Sequence, residues 1–284
     1  MLTPEQIAQY HREGFVIIPN FMTAQEVAAY HAEMDRIAQG NTLASHDKTR
    51  MEMEPDQPAE GMLIRRIYEP CTHYDSFRAL SESPKLLDSV EKLVGPDILF
   101  HYSKINMKPP RIGSVVEWHQ DLSYYPLTNR DSVTVLFYLD DASVTNGCLQ
   151  ILPRRHHLPL LTHSTDGFFR GKVTESVDAS DAILIEGAAG TVIFISCMTP
   201  HASVVNTSNQ SRRTLILSYR ATDAFPIHCH IMTDLVEKHV RLVRGQRSPV
   251  ARFTMTEFPI PVYENQIASL YELQERSRKK EQAA

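Results

Sequence analysis

Apolar positions recur at two different periods along this chain, and the change falls near residue 97. Before it, the pattern is mostly helical. Thr3-Pro4-Glu5-Gln6 carries a helix start: Thr3 is a cap, Pro4 suits the first turn, and Gln6 can close a capping box. Gly14 ends that helix, and Phe15–Ile18 is a short apolar strand stopped by Pro19-Asn20. Thr23 and Glu26 form a second capping box, opening a helix with Val27, Tyr30, Met34 and Ile37 on one stripe that ends near Gly40. Residues 41–62 are polar, rich in Met, Pro and Gly, and read as a loop or lid. Ser83-Pro84 opens a further helix through Leu93, stopped at Gly95-Pro96.

Beyond residue 97 short runs of β-branched and aromatic residues alternate with Pro, Gly, Asn and Asp. Eight strands are predicted: Ile98–Met107, Val115–His119, Ser132–Leu139, Cys148–Leu152, Ala182–Ile185, Thr191–Ile195, Ala202–Val205 and Thr214–Tyr219. Such spacing indicates a sandwich, jelly roll or barrel. The stretch 155–181 interrupts it as a long loop, a length that is often functional. After Arg220 the pattern predicts helices near Ile231–Val243 and Asn265–Lys280. No internal repeat is evident. We expect one domain over 1–284: a helical part at 1–96, a β core at 97–221 and an extension at 222–284.

Composition narrows the functional classes. A net charge of −5 offers no basic excess to neutralise a phosphate backbone, so nucleic acid is not an expected partner. The basic cluster Arg276, Arg278, Lys279 and Lys280 is interspersed with Glu272, Glu275 and Glu281 and reads as a solvated helix end. Cys71, Cys148, Cys197 and Cys229 lack metal or redox spacing and read as buried thiols, which suits the cytoplasm. The N-terminus has neither a basic nor an apolar leader region, and no run approaches the roughly 18 apolar residues of a membrane span.

The chemistry centres on Trp118-His119-Gln120-Asp121. On an extended segment, residues i and i+2 point to one side, so His119 and Asp121 can offer a nitrogen and a carboxylate oxygen to one ion. One more histidine would complete a two-His, one-carboxylate set with open positions, the signature of non-haem Fe(II) oxygenases. H-x-D alone is a weak motif, for which a turn His with a capping Asp is the commoner reading. His201 is the best third ligand: it follows Pro200 and opens a strand at the place where jelly-roll strand ends converge. A buried second carboxylate, as on a bidentate diacid, calls for an arginine fork. Arg212 and Arg213 lie 11 and 12 residues after His201, and a hairpin turning at Asn206–Gln210 would bring one of them beside the metal.

These residues carry a likeness. The chain resembles the phytanoyl-CoA dioxygenase family of 2-oxoglutarate oxygenases in W-H-Q-D at 118–121, D-A-S-V-T-N-G-C-L at 141–149, H-A-S-V-V-N-T-S-N-Q-S-R at 201–212 and the opening Gln6–Phe21. The resemblance implies a double-stranded β-helix (jelly roll, cupin-like): mainly β with flanking helices. It implies His119, Asp121 and His201 as Fe(II) ligands and Arg212 on the far carboxylate of 2-oxoglutarate, with Arg213 as close second. Lys104 and Leu136 fall on strand positions that border the co-substrate in the family; a solvated strand lysine is the bland reading of Lys104. Arg65 and Arg66 lie where relatives often carry a cation that reaches the site. The implied activity is oxidation, by hydroxylation, of an unactivated C–H bond of a small organic metabolite, with 2-oxoglutarate and O2 converted to succinate and CO2.

Departures from the family pattern are Pro153-Arg154-Arg155-His156 in a turn and Leu136-Phe137 where many relatives place a Trp. Asp121 is retained, which argues against halogenation. The rival readings are a β-barrel metal hydrolase or isomerase, which would not need Arg212, and a non-catalytic binding protein. His228-Cys229-His230 and His156-His157 read as polar loops; Tyr124-Tyr125 read equally as lining of a substrate cavity or as packing aromatics, and substrate contacts are expected from 41–66, 122–130 and 155–180. Monomer and homodimer both remain open.

Overall fold

The computed structural model describes residues 1–227, 237–263 and 270–283. Its N-terminal helices form where the caps predict. Helix α1 (Pro4–Glu13) and helix α2 (Ala24–Ala38) both carry complete capping boxes, on Thr3/Gln6 and Thr23/Glu26. Gly14 ends α1 at φ 87°, a left-handed conformation that costs glycine little. Three further helices, α3 (Pro70–His73), α4 (Asp75–Ser81) and α5 (Pro84–Val94), complete this part.

Two antiparallel sheets make the body. The larger runs β1 (Phe15–Ile18), β11 (Val192–Ser196), β6 (Ser132–Tyr138), β13 (Arg212–Ala221), β4 (Ile98–Lys108), β3 (Ile64–Tyr68), β2 (Met51–Met53), with β14 (Arg241–Arg244) also on β4. The smaller runs β10 (Ile183–Ile185), β7 (Leu149–Ile151), β12 (His201–Ser203), β5 (Val116–His119). Alternation along β6, β11 and β13 splits their side chains between two cores. Val133, Val135, Phe137, Val192, Phe194, Leu215 and Leu217 pack outward under the helices. Leu136, Tyr138, Ile193, Ile195 and Ile216 meet Leu149, Ile151 and Ile185 of the smaller sheet. Each such side chain contributes about 1.5–3 kcal/mol by leaving water. The layout is the expected double-stranded β-helix, with the cavity between the two sheets.

Several local expectations are corrected. The N-terminal part holds more strand than expected: besides β1, which forms at Phe15–Ile18 as predicted, β2 and β3 extend the larger sheet, and β2 lies inside the stretch read as loop. Strand β3 escapes a hydrophobic pattern because Arg65 and Arg66, both buried, interrupt it. Residues 241–243, the end of the expected helix, fall in β14 and pair with Ile98–Phe100, so tertiary pairing overrides local propensity. Residues 237–240 are not helical either, whereas 231–236 of that expected helix and His228-Cys229-His230 lie outside the described residues, as does 265–269 of the last helix. Helix α6 (Leu270–Ala283) is in place. The long loop holds a small hairpin, β8 (Ser164–Thr165) with β9 (Phe168–Phe169), and a 3-10 turn at Arg155–His157, where both imidazoles meet the His11 carbonyl. The basic cluster forms ion pairs at Arg276–Glu272, Lys279–Glu275 and Arg278–Glu117. Cys71, Cys148 and Cys197 are buried and free; Cys229 lies outside the described residues. Among the described residues, no helix is long and apolar enough to cross a membrane.

The 141–149 segment acts as a corner. Buried Asn146 donates to Asp141 O (2.7 Å) and accepts from Ser143 N (2.8 Å). Gly147 sits at φ +77°, and a Cβ there would stand 2.4 Å from Val204 O, just past β12. Gly147→Ala is therefore expected to lower stability by more than about 1 kcal/mol, seen as an earlier urea midpoint. An unchanged midpoint would show the corner to be pliable.

Candidate active site

Antiparallel register does the first part of the assembly. His201 on β12 pairs directly with His119 on β5, so the two imidazoles stand side by side, ring centroids 4.2 Å apart. After Gln120 the chain turns into a 3-10 turn at Asp121–Ser123, which swings the Asp121 carboxylate toward both rings. Asp121 Oδ1 lies 3.8 Å from His119 Nε2 and 3.9 Å from His201 Nε2, and one ligand atom from each residue falls within 4.8 Å of the others. Among the described residues no fourth His, Cys, Asp or Glu joins the group.

The surroundings set which atoms are free to bind a metal. His119 Nδ1 donates to Glu117 O (2.8 Å) and His201 Nδ1 to Thr199 O (3.0 Å), leaving each Nε2 with its lone pair toward the centre. Thr134 Oγ1 donates to Asp121 Oδ2 at 2.6 Å, leaving Oδ1 for an ion. Burial, reinforced by the neighbouring His201, holds His119 well below the usual histidine range, so it stays neutral. Burial works against charge on Asp121, but His201, His119, Lys104 and the Thr134 hydroxyl outweigh it and hold the carboxyl below its ordinary value. Two imidazole nitrogens and one carboxylate oxygen facing a cavity are a donor set that fits Fe(II).

Gln120, between the ligands, is fully buried and ties three segments together. Its Nε2 donates to Met198 O (2.7 Å), its Oε1 accepts from Leu161 N (2.8 Å), and its backbone N–H donates to His163 Nε2 (3.1 Å). His163 Nδ1 donates to Leu161 O (2.7 Å), and burial pushes the ring down to about 4, so it remains a neutral acceptor. Gln274 of α6 accepts from Glu117 N (3.2 Å) and donates to Gly171 O, which the Tyr124 hydroxyl also reaches. The long loop and α6 thus brace the H-x-D segment from behind.

The cavity beside the three ligands is lined by Arg212, Lys108, Thr214, Ser203, Leu136 and Ile216, and also by Arg66 and Lys104. Arg212 is buried there at 4% exposure. Arg213, one residue on, points the other way: it forms a two-pronged ion pair with Asp140 (2.7 and 2.9 Å). Strand alternation thus separates two arginines that spacing alone could not. The expected hairpin from His201 to this strand does not form. β12 pairs with β5 and β7, whereas β13 pairs with β4 and β6 in the facing sheet. The turn crosses between sheets and is held by Asn206, which donates to Lys108 O, Pro109 O and Gln210 O.

An adjoining vestibule shares Arg66, Lys104, His119 and Asp121 with that cavity and adds Tyr102, Tyr124 and Tyr125. Lys104 is half-buried on the wall rather than solvated, and burial and Arg66 pull its ammonium down to about 8. Arg65 faces elsewhere, paired with Glu54 (2.9 Å). Of the segments expected to feed this space, 41–66 contributes Arg66 and 122–130 contributes the two tyrosines, whereas 155–180 lies behind the metal-facing segment. The sequence reading missed Lys108, Thr134, Tyr102, His163 and Gln274. Lys104, Asn106 and Lys108 share one strand face at i, i+2, i+4, a signal that could have found Lys108; nothing local marks Gln274.

Comparison with known proteins places the chain in a family and matches its fold. The family model for phytanoyl-CoA dioxygenase matches residues 10–214. A probable alpha-ketoglutarate-dependent hypophosphite dioxygenase of Stutzerimonas stutzeri is 34% identical over 230 residues, covering 78% of this chain and 80% of the relative. An ectoine dioxygenase of Stutzerimonas stutzeri (strain A1501) is 24% identical over 241 residues, covering 78% of each. The crystal structure of EctD from S. alaskensis with bound Fe superposes with a TM-score of 0.68 at 20% identity, covering 87% of this chain and 88% of that one, and shares the fold. The chain belongs to the phytanoyl-CoA dioxygenase family of Fe(II)- and 2-oxoglutarate-dependent oxygenases.

Proposed function

We propose that His119, Asp121 and His201 hold Fe(II), that Arg212 grips the distal carboxylate of 2-oxoglutarate, and that Leu136 packs against its carbon chain with Lys104 near its iron end. The observation that carries this is the cluster of three ligand atoms within 4.8 Å of one another, in a cavity that also holds Arg212. The enzyme is a dioxygenase: it oxidises a small molecule while 2-oxoglutarate and O2 become succinate and CO2. Iron supplies O2 activation when bound; the protein supplies position and dryness. Thr134 keeps Asp121 in one orientation, and the two histidine–carbonyl bonds fix the tautomers. Arg212 offers a planar fork, suited to a carboxylate in a buried site. The tyrosines of the vestibule exclude water from the face where substrate meets the metal. A hydrolase or a binding protein would have no use for Arg212 in the same cavity, and neither reading is favoured.

Anaerobic addition of Fe(II) and 2-oxoglutarate to metal-free protein is expected to give the weak visible charge-transfer band of the chelated complex. His201→Ala should abolish it, and Arg212→Gln should raise the 2-oxoglutarate concentration needed at least tenfold. No band from folded, iron-loaded wild type would overturn the assignment. Thr134→Val should weaken divalent-metal binding about 10–100-fold, the usual effect of losing a partner behind a metal ligand. Calorimetric titration with Co(II) measures this, and an unchanged affinity would leave Thr134 as packing.

A further inference from the structure

The last helix turns a polar face to the protein. Along α6, Leu273, Gln274 and Ser277 are buried, and Arg278 is half-buried beside them. A surface helix normally docks through an apolar stripe, yet two of these three buried side chains are polar. Gln274 is wholly buried, which is costly unless its amide is partnered on both sides. Hydrogen bonds therefore choose where α6 sits. The helix also lies outside residues 10–214, the part of the chain that the family model matches.

What it docks on is the strand that carries His119. β5 ends the smaller sheet and pairs with β12 on one side, so its backbone needs partners from elsewhere on the other. Glu117 is the point of attachment. Its N–H donates to Gln274 Oε1 (3.2 Å), and its carboxylate accepts from Arg278 Nη1 (2.9 Å). Its carbonyl is the acceptor that holds His119 Nδ1 (2.8 Å). Gln274 Nε2 donates to Gly171 O, which also accepts from the Tyr124 hydroxyl. The Tyr124 ring in turn packs edge-on against His119, centroids 5.6 Å apart. One amide thus reaches one imidazole by two routes. The other two ligands are held by different means, His201 by Thr199 O and Asp121 by the Thr134 hydroxyl.

We propose that Gln274 is a positioning residue for the metal centre: through Glu117, and through Gly171 and Tyr124, it aims His119 Nε2 at the ion, so that α6 sets metal affinity from behind the sheet. This rests on the iron assignment above. A carbonyl fixes an imidazole only as firmly as its own strand is fixed, and an edge strand that loses a partner moves more freely. Loss of the amide therefore spreads the directions in which Nε2 points, and an ion that needs three donors at once is held less tightly. The effect falls on the ion. The distal carboxylate of 2-oxoglutarate is assigned to Arg212, on β13 of the other sheet.

The test is calorimetric titration of metal-free protein with Co(II), together with the visible spectrum of the Co(II) form, on wild type, Gln274→Met and Leu273→Ala. Methionine fills the space of glutamine but makes neither hydrogen bond. Leu273→Ala loosens the same buried face and leaves the Gln274 amide in place. Gln274→Met is expected to weaken Co(II) binding about tenfold or more and to change the band shape of bound Co(II). The 2-oxoglutarate requirement of its iron-saturated form stays within about threefold of wild type. Leu273→Ala is expected to lower the urea midpoint while Co(II) affinity stays within about threefold and the spectrum is unchanged. If Gln274→Met does not fold, Gln274→Asn, whose amide falls one methylene short of both partners, carries the same expectation. Normal wild-type binding with the Gln274 variant within about threefold would overturn the proposal alone. So would equal losses of affinity in the Gln274 and Leu273 variants, which would leave α6 as packing, or a loss in the Gln274 variant that falls equally on 2-oxoglutarate. Wild type that takes up no Co(II), or a His201→Ala variant that binds it as well as wild type, would overturn the iron assignment and this proposal with it.

Discussion

The pairing of β12 with β5 is the constraint on which the site depends. It sets His201 opposite His119, and no other feature brings these residues together across 81 intervening positions. A slip of one residue would send one imidazole to the opposite face of the sheet. The register is held by its neighbours: β7 pairs with β12 on its other side, and the corner around Gly147 closes against Val204. The metal-facing geometry is therefore a product of sheet pairing and packing, with the ligands themselves contributing little to holding it.

Around that pairing the protein builds two shells with different tasks. Behind the ligands, Gln120, His163 and Gln274 tie the H-x-D segment to the long loop and to α6 through buried hydrogen bonds. Such groups are costly to bury unless fully partnered, so the network favours one arrangement. In front, Arg66, Lys104, Lys108 and Arg212 line one cavity together with Asp121 and the two histidines.

The β-bulge in β4 adapts this sheet to its aromatic lining. Tyr102 pairs with Ser218 and Phe100 with Tyr219, so His101 is the extra residue on its strand. The local kink lets His101 pack edge-on against Tyr125 at 4.7 Å while Tyr102 reaches the same tyrosine by its hydroxyl. The vestibule wall is thus a consequence of one inserted residue.

By itself the sequence determined the local elements and the chemical vocabulary. The Thr caps, Gly14 and the alternation of β6, β11 and β13 act through neighbours a few residues away, so they are legible along the chain. The residue types of the H-x-D set, the later histidine and the arginine pair were legible for the same reason. Only the tertiary structure decided which side chains share a space. It separated Arg212 from Arg213 by turning one inward and pairing the other with Asp140, and it replaced an expected hairpin by a crossing between sheets. It also placed Arg66, Thr134 and Gln274, whose partners lie 40, 13 and 157 residues away, and converted 241–243 from an expected helix to a strand. The physical reason is common to these cases: periodicity reports which face a residue takes within its own element, whereas the partner of that face is set by long-range packing that no local window contains.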